Sequence, residues 1–125
     1  MKKVLLIPNE HKDKGFICAR GIAERILSLG KSVYVPTEYA HAFSDISKVG
    51  TGSEAELFEK SELAVVTGGD GSIIHTARRA ALTGLAIVGI NLGRLGYLAE
   101  LELDQTDLLE DILNGRYTLE QRMML

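Results

Sequence analysis

Several things are scarce in this chain of 125 residues, and each scarcity narrows what it can be. One cysteine, Cys18, cannot form a disulfide within the chain, and a free cysteine fits a reducing compartment. Placed within a predicted helix, it reads as a small buried apolar residue rather than a nucleophile. The 14 basic residues form no block longer than Lys2-Lys3 or Arg78-Arg79 and the net charge is −3, so no basic stripe points to nucleic acid. No apolar run approaches the ~18 residues of a membrane span, and the apolar stretch at the N-terminus is too short for a signal peptide. These features predict a cytoplasmic protein with no membrane partner. His11 and His41 have no partner at metal-ligand spacing, so no protein-held metal site is expected. Proline is rare, and Pro8 and Pro36 each fall at the end of a predicted strand.

What is present is an ordinary globular pattern: 46% hydrophobic residues, 25% charged, and enough length for one packed core. Lys3–Ile7 reads as a buried strand ended by Pro8-Asn9-Glu10. Gly15–Leu29 carries apolar residues at 19, 22, 23, 26 and 27, a helical stripe, with Gly30 as its stop. Ser32–Val35 is a second strand. The stretch from Thr37 to Gly52 is weakest in pattern, and a short helix and a mobile loop are both open there. Ser53 and Glu56 have the spacing of a capping box that opens a short helix. A strand at 63–67, a helix at 73–82 and a fully apolar strand at 85–90 follow. Asp104 or Thr106 can then cap a helix carrying Leu108, Leu109, Ile112 and Leu113. Alternating helices and continuously apolar strands predict an α/β fold with a doubly wound, mostly parallel sheet. Ligands in such folds sit beyond the carboxyl ends of the strands, where both glycine-rich segments of this chain fall.

The first of these, Gly68-Gly69-Asp70-Gly71-Ser72, stands between an apolar strand and an amphipathic helix. Glycines there let backbone approach a phosphate, and the N–H groups and dipole of the helix start favour negative charge. Asp70 does not belong to phosphate binding as such. It is placed either to take a proton or hold a cation, which suggests phosphoryl transfer, or simply to cap the following helix. The turn matches neither the Walker A pattern nor G-x-G-x-x-G. The second segment, Gly89 to Leu98, adds glycines, Asn91 to read a polar group and Tyr97 to lay a ring against a base. The alternative there is a glycine-rich crossover with Tyr97 in the core.

Together GGDGS at 68–72 and GINLGRLGYL at 89–98, about twenty residues apart, resemble the NAD kinase family. The resemblance runs from Met1 to Leu125, and KKVLLIPN opens the chain as family members open. GGDG alone is shared with lipid kinases and 6-phosphofructokinases; the second segment selects NAD kinase. The resemblance implies a Rossmann-like N-terminal domain that takes part in moving the γ-phosphoryl of ATP to the adenosine ribose 2′-hydroxyl of NAD, giving NADP. The family's catalytic acid falls on Asp70, with Gly68, Gly69, Gly71 and Ser72 lining phosphates. His75 stands where the family commonly has a basic residue; a histidine there can contact the dinucleotide, and on the residues alone it reads more readily as helix surface. Asn91 and Tyr97 match the family's loop asparagine and its aromatic near the NAD adenine. Arg94 is open between phosphate contact and surface, and Arg78 and Arg79 read as surface. Mg²⁺ is expected only as a companion of ATP, and a homo-oligomer is expected of the full-length protein.

Family members continue into a β-rich domain that carries the rest of the NAD pocket. Tyr117–Leu125 is strand-like and ends on Met123-Met124-Leu125. It reads as the entry to that second domain, with residues 1–116 forming the first; a terminal strand docked on the sheet is the alternative. On this reading the isolated chain has little or no kinase activity. The rival readings are a diacylglycerol-type lipid kinase domain and a nucleotide-binding module without chemistry.

Overall fold

In a computed structural model, residues 3–91 are described. They build a five-stranded parallel sheet in the order β3-β2-β1-β4-β5: β1 is Lys3–Ile7, β2 Ser32–Pro36, β3 Val49–Gly52, β4 Leu63–Gly68 and β5 Ala86–Asn91. Helix α1 (Ile17–Ser28) packs on one face with a 3₁₀ segment, Thr37–Phe43. Helices α2 (Glu54–Lys60) and α3 (Asp70–Ala81) pack on the other. The fold is the expected doubly wound α/β arrangement, and the direction in which strands are added reverses between the parallel neighbours β1 and β4.

The central strands are apolar because both faces are covered. On β1, Val4 and Leu6 enter the α1 layer with Val65 of β4, while Leu5 enters the α2–α3 layer with Ala64 and Val66. Each large aliphatic side chain fully buried in this way contributes about 1.5–3 kcal/mol. Helix α1 ends as its sequence predicts. Gly30, at φ +80°, donates to Leu27 O at 3.0 Å and Lys31 donates to Ile26 O at 3.3 Å, a paired closure that satisfies the last carbonyls. Ser53 caps α2, its Oγ accepting from Glu56 N at 3.2 Å. Cys18 is buried in the α1 layer.

Three features depart from expectation. The segment 37–52, left open between helix and loop, forms the 3₁₀ segment and then a fifth strand, β3. In its sequence, Val49-Gly50-Thr51-Gly52, two glycines dilute the strand preference of Val49 and Thr51, and pairing with β2 from Val33↔Val49 to Pro36↔Gly52 supplies the order. Arg20 of α1 secures the segment before it: its Nη1 donates to Ala42 O at 2.6 Å, and the guanidinium forks onto the Asp45 carboxylate at 2.7 and 2.6 Å. Second, α1 starts later than Gly15, and its free N–H groups are capped from a distance. The buried Asp13 carboxylate accepts from Cys18 N and Ala19 N, both at 2.9 Å. Third, α3 begins three residues before the apolar pattern does, at Asp70, so part of the glycine motif is helix. The expected helix near 106–113, the strand at 117–125 and the proposed domain boundary lie outside the described residues.

Candidate functional site

The two strands that flank the reversal of the sheet, β1 and β4, end side by side, with Ile7 in register with Val66. A crevice opens beyond such a point because the connections leaving the two strands turn to opposite faces. The motif lies there. Gly68 closes β4, Gly69 is the N-cap of α3, and Asp70, Gly71 and Ser72 form its first turn. Asp70 is therefore not the cap; Gly69 holds that place. An acid in the first turn is favoured by the helix dipole, whatever else it does.

Each glycine has a distinct environment. Gly68 has φ +153°, and a Cβ there would stand 2.9 Å from Asn9 Nδ2 and 3.1 Å from Ser72 Cβ, so both conformation and crowding require glycine. A Cβ on Gly69 would meet the stem of Lys12, with Cε at 2.8 Å. At Gly71 a Cβ would meet nothing within 4 Å. The fold does not require that glycine, and one inside a helix costs about 0.5–1 kcal/mol relative to alanine. Its absence of bulk leaves the helix start open to an incoming group. Gly89, in the second motif, faces the protein instead: a Cβ there would stand 2.6 Å from Ile73 Cγ2. Its role is to seat α3 against β5.

Of the second motif, Asn91 is the last residue of β5 and the register partner of Gly68. Tyr97 and Arg94 lie outside the described residues. Ser72 and His75 are exposed on the start of α3, and both wall a cleft of about 240 Å³ next to the turn. Its other walls are Ile7 at the end of β1, Pro8 to His11 after it, Tyr39, Glu54, Val66, Thr67, Thr76 and Arg79. The Tyr39 hydroxyl is pushed above its ordinary pKa by burial first, then by Glu38 and Glu10, so it stays protonated across the physiological range. Arg79, read from sequence as surface, pairs with Glu54 and lies over the Phe58 ring at 5.2 Å. Arg78 is exposed, as expected. Thr67, 1% exposed, has an Oγ1 with no hydrogen-bond partner.

Sequence reasoning missed the loop after β1. Asn9, read only as part of a strand end, accepts at Oδ1 from the backbone N–H of His11 (2.9 Å) and Lys12 (3.0 Å). Its Nδ2 donates to Ser72 Oγ at 3.1 Å, joining the β1 loop to the start of α3. The available signal was positional: a polar residue directly after a buried parallel strand stands at the mouth of the crevice. In chemical terms the arrangement offers a helix start with free N–H groups, open backbone at Gly71, hydroxyls at Ser72 and Thr67, and a carboxyl-bearing residue at the first helical position.

Comparison with known proteins gives this site its relatives. Residues 4–117 match the family model of the ATP-NAD kinase N-terminal domain. The chain is similar to the NAD kinase of Ruminiclostridium cellulolyticum, 38% identical over 127 residues, covering 100% of this chain and 43% of that protein. It is similar to the NAD kinase of Caldanaerobacter subterraneus subsp. tengcongensis, 37% identical over 126 residues, covering 100% of this chain and 44% of the relative. With the NAD kinase of Aromatoleum aromaticum it shares 40% identity over 105 residues, covering 83% of this chain and 35% of the relative. The chain thus spans less than half the length of these relatives. A glycine-rich turn at the sheet's reversal point, matched over nearly the whole chain by one family model, identifies this chain as a member of the NAD kinase family, corresponding to its N-terminal domain.

Proposed function

We propose that this chain supplies the phosphate-handling half of an NAD kinase, which transfers the γ-phosphoryl of Mg-ATP to the adenosine ribose 2′-hydroxyl of NAD. The observation that carries this reading is the Gly68-Gly69 turn, which starts α3 at the crevice between β1 and β4 with Asp70 as the first helical residue. A ribose hydroxyl is a weak nucleophile, and a carboxylate within ~3 Å accepts its proton as the oxygen attacks phosphorus. The O–P bond to ribose forms while the β,γ-bridging bond breaks, and ADP leaves with the electron pair. Asp70 is the base in this reading. Gly68, Gly69, Gly71 and Ser72 line the phosphates, whose developing charge the N–H groups of the α3 start stabilise.

His75 is proposed to contact the dinucleotide from the cleft wall, Asn91 to bind it from the end of β5, and Tyr97 to stack near adenine. Mg²⁺ enters as part of Mg-ATP and needs no protein-held site. The remaining pocket belongs, in this proposal, to a β-rich domain beyond residue 116, so residues 1–125 alone form little or no NADP. A homo-oligomeric, cytoplasmic enzyme is the corresponding proposal for the full-length protein.

The test is NADP formation from NAD and Mg-ATP by this chain, by the full-length protein and by full-length Asp70→Asn. Activity is expected only in the full-length protein, falling by about 10²–10⁴ with Asp70→Asn. Activity that survives the substitution removes Asp70 as the base. Robust activity in residues 1–125 overturns the division of labour between the two parts.

A further inference from the structure

We infer that Lys12 is a phosphate-binding residue of this site, carried over the glycine turn by the loop that follows β1. The inference rests on the phosphoryl-transfer reading and adds to it a cation that no motif in the chain announces. Lys12 and Gly69 are far apart in sequence, yet a Cβ on Gly69 would stand 2.8 Å from Lys12 Cε and 3.7 Å from Nζ. The ammonium therefore lies beside the residue that caps α3, where the N–H groups of the first turn begin.

The backbone of Lys12 is held from both sides. Asn9 Oδ1 accepts its N–H at 3.0 Å, while Asn9 Nδ2 donates to Ser72 Oγ on α3. The next residue, Asp13, is buried, donates its N–H to Asn9 O at 3.0 Å, and uses its carboxylate to cap α1. A loop anchored to two helices and to the end of β1 keeps the ammonium near the turn, while the exposed side chain retains freedom to close on a ligand.

An independent sign of a ligand comes from Thr67. Its Oγ1 is buried and without a partner, one residue before Gly68, and the residue forms part of the cleft wall next to Ser72. Leaving a buried hydroxyl unpaired costs about 1–3 kcal/mol, a cost that a rotamer change bringing Oγ1 to a ligand oxygen would offset. Lys12 is not among the residues that wall this cleft; it stands at its edge, beside the glycine turn. Arg79, which lines the cleft, is committed to Glu54. A lysine acts as a compact point charge on phosphate oxygens and does not need the flat geometry of an arginine fork. Gly69 then has a second purpose, because any side chain there displaces the Lys12 stem from the turn.

The test is calorimetric binding of ATP, inorganic tripolyphosphate and adenosine to the full-length protein, comparing wild type, Lys12→Met and Lys12→Arg. Lys12→Met is expected to weaken ATP and tripolyphosphate about tenfold or more and to leave adenosine unchanged. It should also flatten the salt dependence of ATP binding. Lys12→Arg keeps the charge and should recover most of the affinity, which separates loss of charge from damage to the loop. Gly69→Ala should mimic Lys12→Met and add little to it in the double variant. Unchanged ATP affinity in Lys12→Met, with wild type binding normally, overturns the inference and leaves the phosphoryl-transfer reading in place. Equal weakening of adenosine and ATP assigns Lys12 a merely structural role and overturns it too. A wild type that binds neither ATP nor tripolyphosphate overturns both readings.

Discussion

The Asn9 side-chain amide donates to Ser72 Oγ at 3.1 Å, and this bond ties the loop after β1 to the start of α3. The same side chain organises the β1 loop through its Oδ1. Asn9→Ala should therefore lower stability by about 1–3 kcal/mol and weaken tripolyphosphate binding as well. Asn9→Asp keeps the acceptor and loses the donor, so thermal unfolding should show it retaining part of that stability. Equal melting temperatures for wild type and Asn9→Ala would remove the anchoring role.

Gly68 cannot be replaced cheaply. Alanine at φ +153° is strained, and its methyl would press on Asn9 Nδ2 and Ser72 Cβ. Gly68→Ala is expected to cost about 1–3 kcal/mol in denaturant unfolding. Gly71→Ala meets open space and should be neutral or slightly stabilising while reducing ligand affinity. The contrast between the two glycines is the measurement.

Gly89 is predicted to be a packing residue although it sits in a motif that reads as ligand-binding. Gly89→Ala should destabilise by about 1–3 kcal/mol by overpacking against Ile73. Shortening the partner with Ile73→Val should recover part of the loss in a double-mutant cycle. Simple additivity of the two changes would argue against the contact.

Asp13 caps α1 through two bonds to Cys18 N and Ala19 N while nearly buried. Asp13→Ala is expected to cost about 2 kcal/mol, at the upper end for a lost cap. Slower proteolysis or unchanged melting in that variant would contradict it.

The Arg20 guanidinium holds the Asp45 carboxyl down, to a pKa of about 2 from an ordinary 3.8. The folded value lies below the unfolded one. The pair therefore stabilises the fold above the ordinary value, and that contribution is lost as pH falls from 3.8 toward about 2. Both side chains are substantially exposed, so the effect should be small and salt-sensitive. Melting curves of wild type and Asp45→Asn should converge as pH drops through that window; a constant gap would assign the difference to something other than the charge.

How much of this was legible beforehand follows from the range of each interaction. The Gly30 stop, the Ser53 cap and the strands at 3–7, 32–35, 63–67 and 85–90 depend on neighbours a few residues away and on alternation of burial, so the sequence alone determined them. It also determined the family, because GGDGS and GINLGRLGYL are contiguous strings of residues. Tertiary structure decided what depends on approach between distant segments. Val49–Gly52 becomes a strand only because β2 offers an edge. Asp70 enters the helix because Gly69 takes the cap. Gly89 serves Ile73 because α3 packs on β5, and Asn9 and Lys12 reach the glycine turn because β1 lies beside β4 in the sheet. No local pattern encodes a meeting between residues some sixty positions apart. The order of the strands does, since parallel packing brings the loops after β1 and β4 to one end of the sheet.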